Sequence, residues 1–382
     1  MNWLKDLLKR FGKSYLSLSR FQCEEVLDEL SNLSDEQKKS WRVYCLIGRA
    51  RFEMLDYKSA EIAFKKAREA FPHLVTHMDI YSTLLWHLRK TTHLSYLSQE
   101  MQLINPTAPE TWIATGNLFS RLDDHPNALK SFKRATQLST SNEYAYTLSG
   151  HECLITSEYS RSLIFFRESL RRKPIKNYTA YFGLGECYFK QEKFKLAHYF
   201  FHQAYQINDQ NPLIICGIGK VLEKMGEEKE AIKVYGIALE IGNRLGNRFS
   251  HGNGVGGCDS IVRFSRAKVL IGMGEYQAAK LDLIELLKTV PTEYNVRFLL
   301  GKVYGILGDR KNCIKQLTYA QDLEPKSAGS IKKILIGFQD ESKNQKERLM
   351  ELNENSSVSN LDHQDERRRD DERIGDLSIY SV

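Results

Sequence analysis

The chain has 382 residues, 42% of them hydrophobic and 27% charged, which is enough apolar material for a large core and excludes wholesale disorder. Eight prolines and 24 glycines punctuate too sparsely for a many-stranded β fold, so the composition leans to helix. The net charge of +7 is uneven: residues 341–382 carry 7 Lys/Arg and 11 Asp/Glu, and the rest carries 48 and 37.

Along the chain, the opening MNWLKDLLKRFGKSY scatters charges through its apolar positions and contains no signal-peptide core. No run of 18 apolar residues follows, so no membrane span is expected. Cys23, Cys45, Cys153, Cys187, Cys216, Cys258 and Cys313 are evenly spread without a CxxC pair, which reads as reduced, mostly buried thiols inside the cell. The mild basic excess lies on helices whose other faces carry Glu, and no nucleic-acid partner is expected.

From residue 7 onward a 34-residue period takes over. Repeats start near 7, 41, 75, 109, 143, 178, 212, 260 and 294. Position 8 is small in all nine: Ser14, Gly48, Ser82, Gly116, Gly150, Gly185, Gly219, Ala267 and Gly301. Position 20 is small in seven, from Ala60 to Cys313, and position 24 is large, as in Phe64, Phe132, Phe166, Phe201 and Tyr235. Five of the eight prolines (72, 106, 174, 291 and 325) share position 32. Small residues let two helices approach, the aromatic fills the gap to the next helix, and proline cannot continue the second helix. The pattern predicts an all-α fold, a tetratricopeptide-repeat (TPR) superhelical solenoid of about nine helix–turn–helix repeats. It also predicts a loop insertion at 246–259, a capping helix at 328–340 and a disordered charged tail at 341–382.

Three motifs have bland explanations. Residues 252–257, GNGVGG, match a dinucleotide fingerprint but lie between helical repeats with no preceding strand. His151-Glu152-Cys153 lacks the second His four residues on that a metalloprotease helix needs, since position 155 is Ile. Asp123-Asp124 and Glu227-Glu228 fall at inter-helix turns, where acids cap. No catalytic constellation, cofactor or metal is expected.

In such an array, positions 2, 5, 9 and 12 of the first helix of each repeat line one groove. These are Arg42, Cys45, Arg49 and Phe52 in repeat two, and Glu110, Ile113, Asn117 and Ser120 in repeat four. Repeat five contributes Tyr144, Thr147, His151 and Leu154; repeat six contributes Thr179, Phe182, Glu186 and Phe189. Lys220, Lys268 and Lys302 hold position 9 in the last three repeats. The expected ligand is a peptide laid along the groove, anchored by a few charge-assisted hydrogen bonds.

The stretches IYSTLLWHL (80–88), WIATGNLFS (112–120), AYTLSGHE (145–152), YFGLGECYFKQEKF (181–194) and FLLGKVYGILGD (298–309) resemble subunit 3 of the anaphase-promoting complex, over roughly residues 5–330. The irregular third repeat, with Trp86, matches too. The resemblance implies a non-catalytic TPR scaffold of a mitotic ubiquitin ligase, in nucleus and cytoplasm. Its groove would take the C-terminal Ile-Arg tails of coactivator and receptor subunits. Asn117 and His151 would then donate to the tail carboxylate and Glu186 would pair with the guanidinium, although the family often has an uncharged residue there. Phe182, Phe189 and Tyr144 would house the isoleucine, and Thr147 would share the groove. On this resemblance the chain starts where the family's C-terminal TPR half starts; homodimerisation, implied for the other half, stays open. The alternatives are a sister TPR subunit of the same complex or a chaperone-docking adaptor with a two-carboxylate clamp.

Overall fold

The computed structural model describes residues 2–174, 176–248, 256–325, 329, 331 and 332. They contain nineteen helices and no strand. Eighteen of the helices form nine consecutive pairs, each with a first helix (A) and a second (B). The pairs are α1 (Asn2–Ser19) with α2 (Cys23–Ser31), and, after the short α3 (Asp35–Lys38), α4 (Trp41–Glu53) with α5 (Tyr57–Ala70). There follow α6 (Met78–His87) with α7 (Thr91–Ile104), α8 (Pro109–Arg121) with α9 (His125–Leu138), and α10 (Glu143–Ile155) with α11 (Tyr159–Arg172). Next come α12 (Tyr178–Lys190) with α13 (Phe194–Ile207), and α14 (Pro212–Met225) with α15 (Glu228–Arg248). The last are α16 (Gly256–Gly272) with α17 (Tyr276–Thr289) and α18 (Tyr294–Ile306) with α19 (Arg310–Leu323). The chain divides into two compact parts, Met1–Asp282 and Leu283–Val382.

The repeating residues do what their sizes require. In the five repeats that carry a ring at position 24, that ring lies on the glycine backbone of position 8 in its own A helix. A Cβ added to Gly48 would stand 2.8 Å from Phe64, one on Gly150 2.6 Å from Phe166, and one on Gly185 2.7 Å from Phe201. Phe166 is also pressed from the other side by Gly183 of the next repeat. Six cysteines are free and buried; the side chain of Cys258 lies outside the described residues.

The turn between A and B holds a feature absent from the sequence expectation. Residue 15 of every repeat is left-handed: Phe21, Leu55, Arg89, Asp123, Ser157, Glu192, Gly226, Gly274 and Gly308. The next N–H then reaches back to close the A helix, as Asp124 N to Phe119 O (2.9 Å) and Glu158 N to Cys153 O (2.8 Å). Asp56, Asp124 and Asp309 go on to cap the B helices by accepting from Ser59 N, Asn127 N and Asn312 N. For Asp124 this is the capping role expected of that acid pair.

Three boundaries differ from expectation. Helix α1 begins before residue 7, and α6 begins at Met78, after the left-handed His77 (φ 67°). The interruption at 246–259 is shorter than its composition suggested: α15 runs on to Arg248 and α16 starts at Gly256, because no proline stops either helix. Residues 249–255 lie outside the described residues, as do the tail 341–382 and, apart from 329, 331 and 332, the expected cap 328–340. Ile331 is buried.

Within Met1–Asp282 the array closes on itself. Leu18, Val26 and Leu46 of the first two pairs share one core cluster with Ile215, Tyr235 and Val262 of α14–α16. Tyr178, at the start of α12, sets its ring edge-on against Phe21 at 5.0 Å and donates its hydroxyl to Glu53 Oε2 at 2.6 Å. Repeats one and two therefore touch repeat six.

Candidate peptide-binding face

The A helices α4 to α12 turn one side toward this closure, and their polar side chains meet there. Asn117 is 3% exposed, and its Nδ2 donates to Ser82 Oγ (2.8 Å) and Thr83 Oγ1 (3.0 Å) on α6. Tyr144 donates its hydroxyl to the same Thr83 Oγ1 at 2.7 Å. These side chains tie α6, α8 and α10 together. Asn117, expected to donate to a tail carboxylate, instead has both amide hydrogens engaged by the neighbouring A helix.

Thr147 is likewise not on an open surface. It is 2% exposed and bonds Glu143 O and Ser169 Oγ between α10 and α11. His151 is half-buried, with its ring edge-on to Phe166 at 5.0 Å. Burial lowers its pKa from 6.5 to about 4, helped by nearby His87, so it is neutral at pH 7 and donates through one nitrogen only. Phe182, Glu186 and Phe189 stand at i, i+4 and i+7 on α12. Phe182 leans on Phe201 at 5.3 Å and Phe189 on Phe194 at 5.8 Å. Burial raises the Glu186 carboxyl, opposed by the charges of Lys220 and Lys190. Lys268 is engaged by Glu223 at 3.6 Å, which blunts the basic end expected there.

Around Arg49 and Glu110, which position counting named, the structure adds Glu53, His77 and Asp79, which it did not name. Arg49 of α4 has a buried Nε without a hydrogen-bond partner among the described residues. Its charge acts on Glu53, His77, Asp79 and Tyr144. Burial raises the Asp79 carboxyl, against the Ile80 N–H (2.9 Å), His77 and Arg49, which lower it. It raises Glu110 too, with Asp79 adding to the effect. Burial also raises Glu53, opposed by the Tyr178 hydrogen bond, Arg49 and Lys173. The face thus combines one arginine, several desolvated carboxylates and aromatic walls. Among the described residues no group of three or more His, Cys, Asp or Glu has metal-site geometry, and no helix is long and apolar enough to cross a membrane.

Nine consecutive helix pairs, five of them with glycine–aromatic packing between positions 8 and 24, define a TPR-repeat protein. The fold matches the crystal structure of the APC/C hetero-tetramer Cut9-Hcn1, with a TM-score of 0.66 over 82% of this chain and 59% of that one, at 16% identity. The sequence narrows this further. It is 36% identical over 331 residues to anaphase-promoting complex subunit 3 of Schizosaccharomyces pombe, covering 87% of this chain and 48% of the relative. It is 36% identical over 345 residues to protein bimA of Emericella nidulans, covering 90% and 41%. It is 31% identical over 320 residues to cell division cycle protein 27 homolog B of Arabidopsis thaliana, covering 84% and 41%. The chain belongs with the anaphase-promoting complex subunit 3 relatives, and it spans about half the length of those it matches or less. No protein-family model matches the sequence.

Proposed function

We propose that this chain acts as a non-catalytic TPR scaffold within the anaphase-promoting complex and receives C-terminal Ile-Arg tails of coactivator and receptor subunits on its inner A-helix face. The observation that carries the tail reading is the pairing on that face of an arginine with an unsatisfied buried Nε and carboxyls raised by desolvation. A tail ending in Ile-Arg brings both missing partners: a carboxylate for Arg49 and a guanidinium for Asp79, Glu110 or Glu186. Phe182, Phe189 and Tyr144 supply apolar surface for the isoleucine. His151 supplies one neutral N–H. Asn117 positions α6 against α8 rather than meeting the ligand through its amide nitrogen.

Two observations favour this over the alternatives. A chaperone-docking clamp needs free Asn and Lys donors on consecutive A helices, and Asn117 has both amide hydrogens committed to Ser82 and Thr83. The subunit 3 relatives match at 36% identity, whereas the Cut9-containing structure matches at 16%, which favours subunit 3 over a sister subunit.

The test is fluorescence anisotropy with a labelled peptide ending in Ile-Arg. A short tail makes few anchoring contacts, so a Kd of ~1–100 μM is expected. Amidating the C-terminus, Arg49→Gln and Glu186→Gln should each weaken binding about tenfold, or roughly 1.4 kcal/mol. Equal affinity of the free-acid and amidated peptides would remove the tail reading.

A further inference from the structure

The B helices carry a second, different surface. Helices α9, α11 and α13 together hold eight Lys/Arg and three His against a single acid, Glu168. That acid is already engaged by Arg171 (3.4 Å) and Arg172 (2.7 Å). Within this basic stretch three large apolar side chains stand in water: Ile164 at 59% exposure, Leu196 at 45% and Tyr199 at 56%.

Ile164 and Tyr199 hold the same position in consecutive B helices, and Leu196 stands one turn before Tyr199 on α13. Leu163, next to Ile164, packs against both the Phe166 core and the Phe201 core, and half-buried Phe200 joins it in each. Phe200 stacks on Tyr188 at 5.3 Å and meets Tyr199 edge-on at 5.2 Å. Arg167 donates to the Tyr188 hydroxyl at 3.1 Å along the border of the patch. The fold does not need these apolar residues. Ile164 and Tyr199 occupy position 22 of their repeats, and repeats four and seven place Lys130 and Lys233 there without loss of the helix pair. Nor is the patch an end effect, because α11 and α13 belong to interior repeats.

We propose that α11 and α13 form a docking face for an acidic amphipathic helix of a partner protein, separate from the A-helix face. The apolar stripe of such a helix would cover Ile164, Leu196 and Tyr199, and its acids would meet Arg167 and Lys195. Charge complementarity selects this occupant. A nucleic-acid backbone would satisfy the cations and leave the apolar side chains wet. A second copy of the chain would set a basic face on a basic face.

The probe is a labelled synthetic peptide of about three heptads, with Leu at i, i+3, i+4 and i+7 and Glu and Ala elsewhere. Its C-terminus is amidated, so it lacks the carboxylate required on the A-helix face. Anisotropy titration with the full chain should give saturable micromolar binding. Ile164→Glu and Tyr199→Glu should each weaken it by about tenfold or more, while circular dichroism and the thermal midpoint stay unchanged. A scrambled peptide of the same composition should bind at least about tenfold more weakly. Absence of saturable binding, equal binding of the scrambled peptide, or indifference to both substitutions would overturn the proposal. So would displacement of the peptide by duplex oligonucleotide or anionic vesicles whose own binding responds to Ile164→Glu, since that would give the face to another class of ligand.

Discussion

Gly150→Ala tests the close approach on which the array depends. Ala is the better helix former by about 1 kcal/mol in a helix interior, so at an indifferent site the change stabilises. Gly150 is not indifferent. The new Cβ would lie 2.6 Å from Phe166 Cε1, and Phe166 is fully buried. The ring has no retreat, because Gly183 touches its other side more closely still. Forcing a methyl into such a contact shifts the side chain and backbone at a cost of ~1–3 kcal/mol. Less the propensity gain, the net loss should be roughly 0–2 kcal/mol. The control is Gly12→Ala in α1, where a Cβ would meet nothing within 4 Å. That variant should gain about 0.5–1 kcal/mol. Urea denaturation followed by circular dichroism measures both. A third variant isolates the contact: Phe166→Leu makes room, so Gly150→Ala should cost about 1 kcal/mol less in that background. If Gly150→Ala raises the urea midpoint as Gly12→Ala does, or if the cycle shows no coupling, position 8 is small for some reason other than the ring.

Further outcomes follow from the turns, the closure and the titrating groups. Ser157 is exposed and left-handed (φ 62°), and the left-handed conformation costs an L-residue ~1–2 kcal/mol, so Ser157→Gly should stabilise by about 0.5–1 kcal/mol in the same urea assay, after the entropy of glycine is subtracted. Tyr178→Phe deletes the hydrogen bond to Glu53 across the closure and should lower stability by ~1–3 kcal/mol, with Glu53→Gln in the same background restoring part of it by removing the buried charge; no change would mean that the contact is incidental. His151 has its pKa lowered from 6.5 to about 4, so below pH 6.5 the unfolded chain takes up a proton that the native one refuses; its contribution to stability should be lost as pH falls from about 6.5 toward 4, and His151→Gln should flatten that part of the stability–pH curve. Asp79, Glu110 and Glu186 are raised by burial and must ionise to hold a guanidinium, so Ile-Arg peptide affinity should rise with pH through the raised carboxylate range and then level; affinity that falls with pH there would exclude these acids as the arginine partners.

The contrast between what sequence reading reached and what it missed has a physical origin. Packing inside a repeat is local: position 8 must accept the side chain at position 24, a ring in five repeats, and that recurring demand is written in residue identity. Gly48, Gly150 and Gly185 with Phe64, Phe166 and Phe201 were therefore legible before any coordinates. The left-handed turn recurs equally often, yet only Gly226, Gly274 and Gly308 mark it. Closure of the A helix by the following N–H holds Leu55 or Ser157 in that conformation whatever their side chains prefer, so residue type carries little signal. The inner face fails differently. Helical periodicity states which side chains share a side of one helix but not how far the next helix is rotated over them. The adjacent A helix covers part of the side that periodicity assigns to the groove, which is why Asn117 is buried against Ser82 and Thr83 while Arg49, at the equivalent position of repeat two, keeps a buried Nε without a hydrogen-bond partner among the described residues. The contact of Tyr178 with Glu53 spans 125 residues and depends on the summed small rotations across three intervening repeats. No single repeat encodes that sum. A substitution that changes the rotation at one repeat boundary, such as at Gly183 under Phe166, would thus act on the binding face without replacing any of its residues, by moving Tyr178, Phe182 and Glu186 relative to Glu53.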